Sequence, residues 1–308
     1  MGLNRWKCID AGSEYCPCYL AEENNCITCT QLQGKSYCDC NWMGVCIYND
    51  FCFFNNKRKD TRLSQEVAIL TKEVMDNTMV LSLKVHKHLA RLLKQPGSYI
   101  FVRNKFSDYY FDIPISIMDS DEKTATIVVA IEVRGIKSQK IMNAGDHLII
   151  RGPYWNGIFG LEHLKTTEES KCLVIARGIA QAPTIPAIRQ LLKNKNDLDI
   201  IVNKRAGEHN YISDYFNLES IKEIDMVSDE VAIFCRDLME KNKYDLVFIG
   251  GSDTLQNKII RNIEKPQNTK IVTTNNNVIC CGEGICGACA QKDEFGIWIR
   301  TCKAQKVE

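Results

Sequence analysis

From Lys171 onward, short apolar runs alternate with amphipathic stretches, and this pattern sets the architecture of the second half of the chain. Residues 172–176, 199–202 and 245–249 read as buried strands, and residues 182–192, 229–241 and 254–263 carry apolar side chains at helical spacing between them. Strands separated by helices of this length predict a parallel, doubly wound sheet, with a ligand at the carboxyl ends of its strands. Between Leu63 and about Tyr154 the pattern is that of strands alone. Residues 80–85 alternate apolar with polar, residues 124–131 are rich in β-branched side chains, and residues 146–150 follow a glycine turn. Residues 88–94 predict a short helix ended by Pro96-Gly97. Short strands with turn signals between them predict a small antiparallel barrel. The fold class is therefore α/β plus β, a barrel followed by a doubly wound domain.

Residues 1–56 show neither periodicity and offer little for a hydrophobic core, yet they hold nine of the 16 cysteines. A polar segment this short needs something other than burial to offset its chain entropy. Cys16-Pro17-Cys18, Cys26-Ile27-Thr28-Cys29 and Cys38-Asp39-Cys40 are each a pair able to grip one metal. The spacing leaves three readings open here: one or two iron-sulfur clusters, structural zinc, or disulfides and unliganded thiols. Tyr15, Tyr19, Tyr37, Trp42 and Tyr48 are expected to pack around that metal, and Asn55 to Asp60 to form a solvated linker.

The last segment is more specific. Cys281, Cys286 and Cys289 follow a C-x4-C-x2-C spacing and Cys302 completes a set of four, the rhythm of a plant-type 2Fe-2S site. Gly282, Gly284 and Gly287 lie between the ligands, where positive φ lets the loop fold back and bring backbone N–H groups near sulfur. A four-thiolate zinc site favours two C-x2-C knuckles instead. Cys280 stands outside the register.

Charge changes the picture little. Lys and Arg number 39 against 38 Asp and Glu, which leaves no field for nucleic acid or an anionic membrane. The N-terminus has no apolar core of a signal peptide and no apolar run reaches membrane-spanning length, so a cytoplasmic protein is expected, with cysteines as metal ligands. The five histidines lack ligand spacing. Cys172 and Cys235 lie in apolar patterns and read as small buried hydrophobes. Glu168-Glu169 and residues 193–196 are expected to be solvated.

Taken with these motifs, the order of barrel, doubly wound sheet and terminal cysteine loop resembles the electron-transfer subunit of class 1B dihydroorotate dehydrogenase and its ferredoxin-NADP reductase-like relatives. Pro96-Gly97-Ser98-Tyr99 is similar to the family's Pro-Gly-Gln-Phe turn, and Pro114-Ile115-Ser116 to the end of its flavin motif Arg-Pro-x-Ser. Gly135-Ile136-Lys137-Ser138 is similar to its phosphate-holding helix start, and Gly152-Pro153-Tyr154-Trp155-Asn156-Gly157 to its Gly-Pro-x-Gly-x-Gly stretch. The resemblance implies FAD held at Pro114, Ser116, Gly135 and Ser138, with Ser116 toward flavin N5, and NAD(P) at the loop containing Gly178. It implies domains at 1–56, a cysteine-rich metal module; 61–156, the FAD-type barrel; 168–266, the NAD(P)-type domain; and 270–308, the 2Fe-2S segment.

Three positions depart from the family. Ile113 stands where an Arg clamps the flavin pyrophosphate, and Asp112 beside it is expected to repel phosphate, leaving Arg103, Arg134 or Lys137 to supply the charge. Arg177 replaces a glycine of the nicotinamide-side loop, where it either blocks the pyrophosphate or adds a charge to it. Gly250-Gly251-Ser252 replaces Cys-Gly-Pro. The function implied is an electron-transfer flavoprotein, an oxidoreductase without an acid-base residue, working with a catalytic partner subunit or a ferredoxin. The alternative is a non-enzymatic iron-sulfur carrier on a reductase fold that has lost its nucleotides.

Overall fold

The computed structural model describes residues 5–40, 42–59, 62–75, 77–205, 207–263 and 269–306, so the readings that fall on residues 1–4 and on Asp60 lie outside it. The chain divides into two compact units: residues 1–64, 154–156 and 277–308 form the first, and residues 65–153 and 157–276 the second.

The first unit begins with strand β1 (Trp6–Cys8) and the short helices α1 (Tyr19–Glu22) and α2 (Ile47–Phe53). Contrary to the expectation of almost no core, Cys16, Ala21, Cys29, Leu32, Ile47 and Phe51 pack into a small buried cluster. In the charged joint Asn55, Asn56 and Lys57 are exposed, as expected of a solvated linker, but its last two described residues are tied down. Arg58 pairs with Glu22 at 3.2 Å and Lys59 with Asp50 at 3.1 Å, and the Lys59 N–H donates to the Pro17 carbonyl.

In the second unit the strands β2 (Ser64–Met75), β3 (Thr78–Lys84), β4 (Tyr99–Asn104), β5 (Ile113–Asp121), β6 (Thr126–Glu132) and β7 (His147–Tyr154) close into a barrel of order β2-β3-β6-β5-β4-β7. Helix α3 (Lys87–Leu92) and helix α4 (Ile136–Met142) connect its strands. Alternation decides which side faces in: Met79, Leu81 and Leu83 of β3 and Ile127, Val129 and Ile131 of β6 are buried in the barrel core. Leu81 lies opposite Val129, which fixes the register.

The same unit continues through β8 (Ile158–Phe159), α5 (Leu161–Thr166), β9 (Lys171–Arg177), α6 (Gln181–Lys193), β10 (Asp197–Asn203), α7 (Tyr211–Tyr215), β11 (Ile221–Ile224), α8 (Ser228–Lys241), β12 (Leu246–Gly250), α9 (Asp253–Asn262) and β13 (Lys270–Thr274). The sheet order is β11-β10-β9-β12-β13-β8, parallel apart from β8. The order reverses between β9 and β12, and the crevice at the carboxyl ends of these two strands is the topological switch point where such sheets take ligands. Residues 193–196 are not merely solvated. Asn196 is buried, its Nδ2 donating to the carbonyls of Thr167 and Leu191 at 2.9 Å each.

The chain then returns to the first unit with β14 (Ala290–Lys292), β15 (Trp298–Arg300) and β16 (Ala304–Lys306). Strand β16 pairs antiparallel with β1, Cys8 opposite Ala304, so the two ends of the chain share one small sheet. No helix among the described residues is long and apolar enough to cross a membrane.

Candidate functional site

A cavity of about 610 Å³ in the second unit is walled by residues 113–116 of β5, the end of β6, the turn into α4, the loop after β9 and the segment after β13. Pro114, Ser116, Gly135 and Ser138 all line it. Pairing explains why β5 faces it. Residues 113–116 are bonded to β4, Pro114 opposite Phe101 and Ser116 opposite Tyr99, whereas pairing with β6 begins only at Ile117. The other edge of 113–116 is left open along the cavity, and a proline is tolerated where a strand has a neighbour on one side only.

The charges around this cavity differ from the sequence expectation. Asp112 does not stand unopposed: Arg103 lies 2.7 Å and Arg151 3.3 Å from its carboxylate, which is almost wholly buried. Lys137 donates to the carbonyls of Tyr110 and Asp112, and Arg134 pairs with Glu132 at 2.6 Å. Asp112 is thus neutralised by two guanidinium groups, and Arg103 is committed to it. Arg134 and Lys137 line the cavity.

Ser138 closes the start of α4 on itself. Its hydroxyl accepts from the N–H groups of Arg134 and Gly135 at 3.1 and 3.2 Å and donates to the Gly135 carbonyl at 3.0 Å. A Cβ on Gly135 would meet no atom within 4 Å, so the wall is open there.

A second cavity, of about 380 Å³, lies at the carboxyl ends of the parallel strands and shares Glu132, Arg134, Ile179, Ala180 and Asn276 with the first. Gly178 lines it with φ of +55° and open space where a side chain would begin. Arg177 turns toward the start of α8, its Nη1 donating to Ser228 Oγ at 2.9 Å. Gly250 is tightly enclosed, since a Cβ would lie 2.7 Å from Thr184 Oγ1. Sequence reasoning missed Thr274 and Asn276. Gln256 Nε2 donates to the Thr274 carbonyl at 2.9 Å, and Asn276 Nδ2 to the Gly251 carbonyl at 2.6 Å, so the loop after β13 is tied to the loop after β12. The β-branched run Ile271-Val272-Thr273-Thr274 carried the signal for that strand.

In the first unit, Gly282, Gly284 and Gly287 adopt φ of +72°, +77° and +73°, and the Glu283 N–H points at Cys281 Sγ from 3.3 Å. Cys289 and Cys302 are buried and their thiols share a hydrogen bond that holds Cys289 below the ordinary thiol range; Cys286 is exposed. Three thiols on one glycine-turned loop, a fourth after β15 and a backbone N–H directed at sulfur have the donor chemistry of an iron-sulfur site. Among the described residues no three Cys, His, Asp or Glu side chains converge closely enough to hold a metal ion.

The N-terminal thiols are only partly gathered. Cys38 and Cys40 Sγ atoms lie 3.6 Å apart, and the Cys29 N–H donates to Cys26 Sγ at 3.3 Å. Burial pushes the Cys16 thiol up to about 12 and Cys26 to about 11, with Cys18 acting on both by charge. The aromatic residues meet cations: Arg62 stacks 3.9 Å from the Tyr15 ring and Arg58 3.9 Å from that of Tyr19.

Together, the closed barrel and the doubly wound sheet make the fold of the ferredoxin reductases. A chain in a structure of the NADH-dependent reduced ferredoxin-NADP oxidoreductase, described for flavin-based electron bifurcation, superposes with a TM-score of 0.60 at 15% identity, covering 77% of this chain and 85% of that one. A ferredoxin-NADP+ reductase from Plasmodium falciparum superposes at 0.50 and 17% identity over 68% of this chain and 95% of its own. In sequence the chain is similar to electron-transfer subunits of dihydroorotate dehydrogenase B (NAD(+)). The probable subunit from Methanocaldococcus jannaschii is 24% identical over 166 residues, 51% of this chain and 61% of that protein. The Streptococcus mutans subunit is 34% identical over 101 residues, 32% of this chain and 38% of its own. No family model matches the chain.

Proposed function

We propose that the protein is the electron-transfer subunit of a flavin-dependent oxidoreductase, with FAD in the larger cavity, a nicotinamide nucleotide in the smaller, and a 2Fe-2S cluster on Cys281, Cys286, Cys289 and Cys302. FAD held there would supply the conversion of a two-electron hydride donation into single-electron delivery, and the chain would contribute binding and orientation rather than an acid-base group. One observation carries this reading: the two cavities adjoin, one along the open edge of β5 and the other at the switch point of the parallel sheet.

Within that reading each residue has a task. The open backbone edge at Pro114 to Ser116 gives a flat ring system hydrogen-bonding partners, and the Ser116 hydroxyl is the group assigned to flavin N5. Gly135 leaves room for close approach of a phosphate, and Lys137 and Arg134 supply positive charge in place of the absent motif Arg. Gly178 does the same for the nucleotide pyrophosphate. Cys16, Cys18, Cys26, Cys29, Cys38 and Cys40 are assigned to a further iron-sulfur cluster or a zinc ion. The acceptor is a catalytic partner subunit or a ferredoxin, in keeping with the relatives named as electron-transfer subunits.

The self-contained hydrogen bonding of Ser138 favours a second reading, a non-enzymatic iron-sulfur carrier. Titration of flavin-free protein with FAD, followed by flavin fluorescence, separates the two. Saturable binding of one FAD per chain supports the first; absence of binding leaves the carrier.

A further inference from the structure

The smaller cavity contains a basic corner with no role yet assigned. It lies at the carboxyl end of β10, the second parallel strand, where Asn203 is followed by Lys204 and Arg205. In dinucleotide sites an acidic side chain in this region accepts hydrogen bonds from the ribose hydroxyls and disfavours a 2′-phosphate, whereas an arginine accommodates one.

Here that end of the strand carries no acid. Asn203 is buried and occupied with backbone, donating to the Met226 carbonyl at 3.1 Å and accepting from the Met226 N–H at 3.2 Å. Lys204 pairs with Glu223 at 3.2 Å. Two carboxylates near the corner are already engaged: Glu208 accepts from the Arg205 N–H at 2.9 Å and Glu132 pairs with Arg134. Asp225 also lines the cavity and has interactions of its own. The guanidinium groups of Arg177 and Arg205 meet no carboxylate within ion-pair distance among the described residues; Arg177 bonds only the Ser228 hydroxyl. Arg177 at the end of β9 and Arg205 two residues past the end of β10 line the same cavity, Asn203 lying opposite Arg177, and two guanidinium groups there suit a dianionic phosphate better than a neutral hydroxyl pair.

We infer that the smaller cavity selects a nucleotide bearing a 2′-phosphate, NADP(H) rather than NAD(H), with Arg205 as the specificity-determining residue and Arg177 beside it. The inference rests on the nucleotide reading of this cavity. It departs from the sequence relatives, whose names specify NAD(+).

The test is calorimetric titration of the full chain with three probes: adenosine 5′-monophosphate, adenosine 2′,5′-bisphosphate and adenosine 3′,5′-bisphosphate. The 2′,5′ compound is expected to bind roughly tenfold or more tightly than the monophosphate, the scale of a charge-assisted hydrogen-bond pair. Arg205→Ala is expected to remove most of that preference while the monophosphate affinity stays within about threefold. Equal affinity for the monophosphate and the 2′,5′ compound overturns the inference but leaves the nucleotide reading standing. Equal affinity for the two bisphosphates overturns it too, since that result is nonspecific charge attraction. A preference undiminished in Arg205→Ala overturns the residue assignment, and binding of none of the three overturns the nucleotide reading itself.

Discussion

Arg62 Nη2 lies 3.0 Å from Asp10 Oδ1 with both side chains removed from solvent, and Lys303 and Glu283 close the pair into a ring of two cations and two anions. The Tyr154 hydroxyl donates to Glu283 at 2.9 Å, and the Arg62 guanidinium is stacked over Tyr15, Tyr154 and Trp155. Glu283 follows Cys281 by two residues and Lys303 follows Cys302 directly, so the cysteine loop is anchored through buried charge to the N-terminal segment. Removing one member strands the others. Asp10→Asn is expected to lower unfolding free energy by about 3–5 kcal/mol, read from urea denaturation. A change below about 0.5 kcal/mol would mean that the ring contributes nothing.

Asp10 also sets an acid dependence. Lys303 and Arg62 outweigh the effect of burial and hold its carboxyl below the usual range. A carboxylate depressed on folding contributes stability that is complete above its unfolded value, about 3.9, and is lost as pH falls through the folded value. Stability of the native protein should therefore drop below about pH 4, and the Asp10→Asn variant should show a shallower slope there. Identical slopes in the two proteins would contradict the assignment.

Asp112 makes a separate point about the flavin cavity. Because its charge is balanced by Arg103 and Arg151, Asp112→Asn leaves two guanidinium groups under-compensated and is expected to cost about 1–3 kcal/mol in thermal or chemical denaturation. The same variant should bind FAD at least as tightly as the parent. A large gain in FAD affinity without loss of stability would instead support the repulsion expected from sequence.

Two glycines of the doubly wound domain should fail for different reasons. Gly178→Ala has space but must hold φ near +55°, at a cost of about 1–2 kcal/mol. Gly250→Ala has ordinary backbone but forces Thr184 aside, at about 1–3 kcal/mol. Replacing Thr184 by Ser as well should not relieve the second variant, because the hydroxyl remains; Thr184→Ala should. Denaturation of the single and double variants checks this directly.

The ligand set makes a spectroscopic claim. Cys289→Ala should abolish the paramagnetic signal of a reduced 2Fe-2S cluster in anaerobically purified protein, whereas Cys280→Ala, which changes an exposed thiol outside the register, should leave it. Loss in both or in neither would mean that the four ligands are misassigned.

Much of this was legible in the sequence because local pattern and tertiary environment agree. The apolar runs of β9, β10 and β12 are buried on both faces, and the alternation of β3 and β6 is that of a barrel wall. Pro114, Ser116, Gly135 and Ser138 were found through motif resemblance and do line one cavity. What escaped were relationships between distant residues. Nothing near Asp112 in sequence announces Arg151, and the ion pair of Asp10 with Lys303 spans almost the whole chain. The joint at Arg58 and Lys59 looked solvated because its partners, Glu22 and Asp50, lie in a segment with no recognisable period. Asn276 was missed because it lies in the loop after a short strand and its role is made by folding alone.

The central claim is most directly tested by the absorption spectrum of protein purified without oxygen, followed by denaturation and identification of the released cofactors. Flavin bands over an iron-sulfur background, with FAD recovered at about one per chain and bleached on adding a reduced nicotinamide nucleotide, are the expected result. An iron-sulfur spectrum with no flavin, unchanged after addition of FAD, would contradict it.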